Sequence, residues 1–486
     1  MFKLSNKMKK SNGLPKFNSD IFYPWVLCIT LIISLMLMWY HFNYNTDELV
    51  KNYNEQIMGK LLPTKSILAI GVTAWAIFLL GIRVWFAWHY RPYKPACDKK
   101  LPVVTVIIPA YNEGAQVLHT VRSVVASDYP PEKMQIICVD DGSKDDTWDW
   151  MQKAKKEFPH RVKLIRQPFN SGKRLALREG FINGKGSVFV TIDSDSEILP
   201  DTLRHMVSPF VLDPRVGGVA GNVRVLNTAE SAIPKMLEVS FAYAFDFIRS
   251  GQSVYGGVFC TPGALSAYRA DVVRANLTTW INQTFMGKRA TIGEDRALTN
   301  LILRMGYRVV YQRKAVVNTK IPAAYTGLRK MLLRWARSNV RENLVMFSFI
   351  TKRFRPYDSG SNWIRLFSVT QLFRLTFGEA CKFAVLAQML MNPVPTLILI
   401  SAGCLVSAIL PSIIYQKQHH SMFGWHWALP FSFYWIFALS WIPLWGLVTA
   451  ARTGWLTRET VITPDPKKQL NIPQPHRVRS MVSKAA

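Results

Sequence analysis

Residues 188–198 read VFVTIDSDSEI. An apolar, β-branched run ends abruptly in Asp193 and Asp195, one residue apart. Such a run, short and bounded by turn formers, reads as a fully buried strand. The question it sets is why a strand built for burial should finish on two negative charges. The surroundings give the frame. Residues 103–109 and 135–139 are further apolar strands and residues 162–165 a shorter one. Helical spacing fills 114–126, 145–158 and 171–182 between them. Strand and helix alternating in this way predict an α/β domain with a mostly parallel sheet. Ligands of such sheets bind beyond the carboxyl ends of the strands. That is where the chemistry-bearing residues stand: PAYNEG (109–114) after the first strand, VDDGSKDD (139–146) after the second, DSD (193–195) after the fourth.

Carboxylates gathered on one edge repel unless a cation sits among them. Mg²⁺ or Mn²⁺ takes oxygen ligands and fills the rest of its shell from water and substrate phosphates. The two aspartates therefore predict a docking point for a divalent ion and a diphosphate, although a D-x-D pair is also compatible with a helix cap or a surface turn. Further along, Gly293 precedes Glu294, Asp295 and Arg296 at the start of a helical pattern, a place that favours carboxylates. A basic amphipathic segment follows, LRWARS (333–338). Its arginines and Trp335 suit a membrane interface; Arg334 equally suits a diphosphate and Trp335 the flat face of a sugar. Neither G-x-G-x-x-G nor a Walker A loop is present, so a dinucleotide or P-loop enzyme is a poor fit.

The chain has 486 residues and a formal charge of +29, from 60 Lys+Arg against 31 Asp+Glu. Residues 21–42 carry no charge and, at about 1.5 Å per residue, are long enough to cross a hydrocarbon core of about 30 Å. Residues 66–90 carry Arg83 and His89 only near one end, with Trp75, Trp85 and Trp88 as interfacial anchors. Apolar runs return at 393–415 and 425–450. Residues 366–391 are ambiguous, because Arg374, Glu379 and Lys382 interrupt them; they fit either a surface helix or the wall of a polymer channel. Lys3, Lys7, Lys9, Lys10 and Lys16, then Arg91, Lys94, Lys99 and Lys100, then Lys467, Lys468, Arg477, Arg479 and Lys484 place both termini and the middle domain in the cytoplasm. Parity then calls for an even number of spans after the middle domain. The expected organisation is a basic tail (1–20), two transmembrane helices (21–90), a catalytic domain (98–325), interface helices with at most one span (326–391), transmembrane helices (392–450) and a cytoplasmic loop and basic tail (451–486), in the plasma (inner) membrane. The excess charge reads as topology and contact with anionic membrane lipids. No nucleic-acid partner is expected, since no stacking or base-reading motif appears. The six cysteines (Cys28, Cys97, Cys138, Cys260, Cys381, Cys404) form no C-x-x-C pair and read as reduced structural thiols.

Taken together, PAYNEG, VDDGS, NSGKR, DSD, GED and RW resemble the inverting family 2 glycosyltransferases of the GT-A fold. TIGEDRALT (291–299), LRWARS and PGALSAYR (262–269) resemble the processive membrane synthases among them: hyaluronan synthases, nodulation-type chitin synthases and, more distantly, cellulose synthase. TGWLTR (453–458) is similar to their W-G-T-R gating loop, with Leu456 in place of Gly. The resemblance covers roughly 66–460. It implies a GT-A domain inserted between transmembrane helices, a UDP-sugar donor (GlcNAc as first choice), a growing β-linked polysaccharide as acceptor, and Mg or Mn. By position it implies that Ala110, Tyr111, Glu113 and Asp140 hold the uridine, that Lys173 approaches the diphosphate, and that Asp193 and Asp195 bind metal and UDP. It assigns Gly221–Arg224 and the 262–269 loop to the acceptor site, Asp295 to the general base, Arg334 to the diphosphate and Trp335 to the acceptor end. Trp455, Thr457 and Arg458 would close over UDP. Two departures bear on the acceptor: Met331 stands where the motif has Gln, and Asn222 where hyaluronan synthases have Asp. The competing expectations are a non-processive transferase acting on a lipid carrier, a cellulose-like synthase using UDP-glucose, and a non-enzymatic membrane scaffold.

Overall fold

The structure, a computed structural model, describes Gly71 and residues 74–352, 354–355, 358–419 and 424–452. The first expected span (21–42), both basic tails, and Trp455, Thr457 and Arg458 lie outside the described residues.

The apolar runs become strands where expected. β1 (Val104–Ala110) is buried along its whole length, as a central strand covered on both faces must be. It pairs in parallel with β2 (Met134–Asp140) and with β4 (Val188–Ile192), while β2 pairs in parallel with β3 (Val162–Arg166). The crossovers are helices α2 (Gln116–Val125), α3 (Thr147–Glu157) and α4 (Lys173–Asn183); the apolar helix α1 (Ala74–His89) precedes β1. α2 shows the reason for its placement: Val117, Leu118, Val121 and Val124 form one apolar stripe, and all are buried.

Beyond β4 the chain adds β5 (Ser196–Ile198), α5 (Thr202–Leu212), β6 (Val216–Val225), α6 (Ala232–Ala242), a π-helical stretch (Tyr243–Arg249) and the short α7 (Ser250–Val254). Next come β7 (Leu265–Arg269), α8 (Ala270–Ile281), a small hairpin β8–β9 (Thr284–Phe285, Lys288–Arg289), α9 (Glu294–Arg304) and β10 (Arg308–Thr319). The sheet order is β3-β2-β1-β4-β7-β6-β10-β5. β6 and β10 are parallel, whereas β7 runs antiparallel between β4 and β6, and β5 caps the edge antiparallel to β10. The sheet is thus mostly parallel, with two reversed strands that the run of alternating elements does not announce. Ala110 and Asp140 end β1 and β2 in register, and Ser196 pairs with Thr319, so the strand ends gather on one edge.

Further helices complete the described residues. α10 (Tyr325–Ile350) lies under the strand ends, and α11 (Gly360–Met391) is one continuous helix. α12 (Pro393–His419) is long and apolar enough, over Pro393–Gln418, to cross a membrane. A 3-10 turn (Trp425–Trp427), α13 (Ala428–Tyr434) and a second π-helical stretch (Trp435–Leu439) make one limb, bent by 45° from α14 (Trp441–Val448), and the two limbs together are long and apolar enough to cross as well. α1 is apolar but shorter. It is fastened to the sheet domain by Phe86, fully buried against the rings of Tyr255 and Trp363, and by the Tyr90 hydroxyl, which donates to the Tyr311 carbonyl at 3.1 Å and accepts from Arg313 N at 3.0 Å. In α11, Lys382 donates to Glu379 at 2.6 Å and to the Ser440 carbonyl at 2.7 Å. These two of the three charges in 366–391 therefore satisfy each other at the α11–α14 contact. The five described cysteines are free; Cys97 is exposed rather than packed, which corrects the reading of it as structural.

Candidate active site

One cavity of about 580 Å³ opens at the carboxyl edge of the sheet, between the strand ends and α10. Ala110, Tyr111, Glu113, Lys173, Asp193, Asp195, Asp295, Arg334 and Trp335 all line it, drawn from stretches far apart in sequence.

The turns that carry them are tied to one another. After β1, Asn112 takes a left-handed conformation (φ 53°). Its backbone N–H donates to Ser143 Oγ at 3.0 Å, and its side-chain oxygen accepts from Lys144 N at 2.9 Å. Glu113 N and Gly114 N both donate to Thr147 Oγ1, at 2.8 and 2.9 Å. The turn after β1 is thereby fixed on the turn after β2. Within VDDGS the two aspartates divide the work. Asp140 is fully buried, accepts from Ser143 N at 3.0 Å and faces the Arg166 guanidinium at 3.3 Å. Asp141 lines the cavity and accepts from Ser171 N and Gly172 N, each at 2.8 Å, which fixes the loop leading into α4. Asp140 itself is below the cavity floor.

At the end of β4, Asp193, Ser194 and Asp195 all border the cavity, and the Ser194 carbonyl accepts from Thr120 Oγ1 at 2.8 Å. Asp195 accepts from Ser196 Oγ at 3.1 Å and from Thr319 Oγ1 at 3.2 Å. Lys173, at the start of α4, pairs with Asp193 and lies 3.6 Å from Glu294. Burial pulls the lysine's pKa down, but Asp193, Glu294 and Asp295 outweigh it and hold the ammonium above its ordinary value. Gly263 permits this approach, since a Cβ there would sit 2.9 Å from Lys173 Nζ. Among the described residues no three His, Cys, Asp or Glu converge as a self-sufficient metal site. Asp193 and Asp195 offer oxygen ligands only, a set that fits a hard divalent ion completed by phosphate and water.

Asp295 stands in the first turn of α9. Gly293 before it has φ 69°, and a Cβ there would come within 2.5 Å of Ser338 Cβ. Asp295 accepts from Arg296 N at 2.7 Å, and the Cys260 thiol donates to its other oxygen at 3.7 Å. Burial pushes the Cys260 thiol up to about 11, so it remains a neutral donor. Opposite, Trp335 is 40% exposed into the cavity with Phe241 beside it at 6.2 Å between ring centres. Phe245, Phe431 and Trp435 continue this aromatic wall toward α13. A second depression, sharing Tyr111 and Asn170 with the cavity, is bounded by Ser143, Lys144, Arg166 and Phe169.

Two expected acceptor stretches reach the cavity only in part. Of Gly221–Arg224, Val223 lines it. Arg224 instead pairs with Asp246 at 2.5 Å and lies 4.0 Å from Glu238, and Asn222 donates inward to the Arg313 carbonyl at 3.0 Å. Of 262–269, Pro262, Gly263 and Ala264 line the cavity while the rest is β7. Met331 does line it. The sequence reading missed Asp141, Glu294 and Cys260; the doubled aspartate and the G-E-D triplet were the available signals for the first two, and no local signal marks Cys260.

A model of the family described as "Glycosyltransferase like family 2" matches residues 102–338. An N-acetylglucosaminyltransferase of Rhizobium meliloti (strain 1021) is 32% identical over 293 residues, 59% of this chain and 68% of that protein. A hyaluronan synthase of Streptococcus pyogenes is 30% identical over 401 residues, 79% of this chain and 90% of that protein. Among solved structures, the mannosyltransferase PcManGT from Pyrobaculum calidifontis, in complex with GDP-Man and Mn²⁺, superposes with a TM-score of 0.56 at 20% identity, over 79% of this chain and 97% of that one.

Proposed function

The chain belongs to glycosyltransferase family 2 and has its GT-A fold, and from that premise we propose that it transfers a sugar, GlcNAc as first choice, from a UDP-sugar to a growing β-linked polysaccharide. The observation that carries this is the meeting of Asp193, Asp195, Lys173, Asp295, Arg334 and Trp335 around one cavity. The depression beside Tyr111 suits the base and ribose of the nucleotide, with Asp140 acting from beneath through Ser143 and Arg166.

Asp193 and Asp195 would hold Mg²⁺ or Mn²⁺, which when bound offsets the charge gathering on the departing diphosphate. Mn²⁺ together with a nucleotide sugar is named for PcManGT. Lys173 and Arg334 act on the same charge, which grows in the transition state, so their contribution falls on rate as well as binding. Asp295 takes the proton of the acceptor hydroxyl as that oxygen attacks the anomeric carbon. A single in-line displacement inverts that carbon and gives a β linkage from an α-linked donor. Trp335 presents its face to the acceptor sugar, and the aromatic wall beyond it offers successive stacking surfaces, which suits a polymer that is retained and extended.

α12 packs Thr396, Cys404 and Ala408 inward and carries apolar side chains outward on its other faces, with Leu399 70% and Val406 68% exposed, a surface matched to lipid. With the Lys/Arg placement this supports a multi-pass protein of the plasma (inner) membrane, its catalytic domain and termini cytoplasmic and its synthesis coupled to export. The test is incorporation of labelled UDP-GlcNAc by isolated membranes with Mn²⁺ or Mg²⁺, with and without UDP-glucuronate. Polymer from UDP-GlcNAc alone indicates a chitin-type product; polymer only with both donors indicates a hyaluronan-type product. No incorporation from either defeats the GlcNAc assignment and turns the test to UDP-glucose.

A further inference from the structure

Two turns along α10 from Arg334 and Trp335, on the same face of the helix, lies a buried ion pair. Glu342 and Arg341 are 3% and 1% exposed, and neither lines the cavity. Their placement has no catalytic purpose on its own, and a buried ion pair is weak evidence for stability. The partners they hold are more telling.

Glu342 Oε1 accepts from Arg341 Nε and from Gln283 Nε2, each at 2.9 Å, and Oε2 accepts from Asn300 Nδ2 at 3.0 Å. Gln283 stands at the base of the β8–β9 hairpin, closed by Ala290 N donating to the Gln283 carbonyl at 3.0 Å. Asn300 is inside α9, which Asp295 begins. One carboxylate thus ties together the hairpin that enters the Gly293 turn and the helix that leaves it. Arg341 completes the arrangement: its other guanidinium nitrogen donates to the carbonyl of Ile292, the residue before Gly293. Gly293 packs so closely that a Cβ would meet Arg341 Nη2 at 3.0 Å.

We propose that Glu342 and Arg341 are positioning residues for the transfer: they clamp the Ile292–Asp295 turn onto α10 and so hold Asp295 in register with Arg334 and Trp335, which the same helix carries. The assignment rests on Asp295 being the base. A carboxylate displaced by about 1 Å can lose up to about 100-fold in rate without losing substrate. The clamp therefore governs turnover more than donor binding, because Asp193 and the depression beside Tyr111 stand on other elements and Lys173, paired with Asp193, meets the turn only at Glu294, 3.6 Å away.

The test uses the full-length protein in membranes, with UDP-GlcNAc and UDP-glucuronate as donors and UDP as the binding probe. Glu342→Gln keeps the shape and removes the charge. Arg341→Lys keeps the charge and loses the fork that reaches Ile292, and serves if Glu342→Gln does not fold. Expected are a kcat lowered about 10- to 100-fold, a donor KM and UDP affinity within about twofold, and more UDP released per sugar transferred, as water replaces a misaligned acceptor. Hydrogen exchange supplies a readout independent of the donor: amides 291–296 exchange faster in either variant while 104–110 do not change. Unchanged exchange in 291–296, or equal losses of kcat and UDP affinity, overturns the clamp. Asp295→Asn, measured alongside, separates the two readings: wild-type transfer by that variant removes the base assignment and the positioning role together, whereas abolished transfer with an unaltered turn in the clamp variants removes only the latter.

Discussion

Single atoms decide much of this site. Gly293 is the sharpest case, with no room for a Cβ and a left-handed backbone. Gly293→Ala is expected to lose about 1–2 kcal/mol from the backbone alone, more with the Ser338 contact, and to abolish transfer; thermal unfolding and incorporation check the two parts. Cys260 gives a pH signature. Burial disfavours its thiolate, so its alkylation stays slow at pH 8 and climbs only toward pH 11, while exposed Cys97 is labelled first. Peptide mapping after iodoacetamide treatment reads this directly; rapid labelling of Cys260 at pH 8 would contradict the closed packing around Asp295. The pKa of Lys173 is raised too, but here it is the charged form that the site favours. Its raised folded pKa means that its pairing with Asp193 stabilises the fold fully below the unfolded lysine value and is lost only as pH rises through the folded one, so neutral buffers leave it intact. The residue scale is also where sequence reading divided. Asp193, Asp195 and Asp295 were legible because each follows a strand or opens a helix. Which of Asp140 and Asp141 faces the cavity was not, because that depends on where β2 stops pairing with β3.

Among the elements, the π-helical stretch Tyr243–Arg249 has the most to lose. Its Asp246 is buried, 2.5 Å from Arg224 and 3.3 Å from Arg313, and accepts from the Tyr311 hydroxyl at 3.2 Å. Asp246→Asn leaves the largely buried Arg224 and the part-exposed Arg313 short of their anion, and a loss of about 3 kcal/mol is expected, visible as a lowered folded yield and unfolding temperature. α10 makes a different prediction. If the proposed acceptor role holds, Trp335→Ala shortens the polymer and lowers transfer while UDP affinity changes less than about twofold; product sizing and UDP calorimetry test the split. The elements themselves were largely readable. Apolar runs gave the parallel strands and helical spacing gave α2 to α4. β7 and β5 escaped because a reversed strand has the same alternation as a forward one, and its direction is set by partners far away in sequence.

The whole molecule joins a sheet domain whose ligand edge faces α10 to helices whose apolar sides face outward. Leu390 and Val394, flanking the α11–α12 junction, are 79% and 65% exposed. Alkaline carbonate is therefore expected to leave the protein in the membrane pellet, and its release to the supernatant would contradict embedding of α12 and the bent pair. Composition had already pointed this way, since the apolar residues cluster outside the sheet domain. The continuous course of α11 was less legible, because Glu379 and Lys382 interrupt the apolar run yet satisfy one another once α14 is packed beside them.

The pairing of β10 has a consequence for how the protein is made. Asp195 is anchored by Thr319, the last residue of β10, and Tyr90 is held by Tyr311 and Arg313 on the same strand. A ribosome delivers those partners long after Asp195 and Tyr90 have emerged. Until then the nascent chain has an unpaired sheet edge, and the Asp193–Asp195 turn lacks the contact that Thr319 makes. The site is thus completed, and sugar transfer possible, only after β10 has been made.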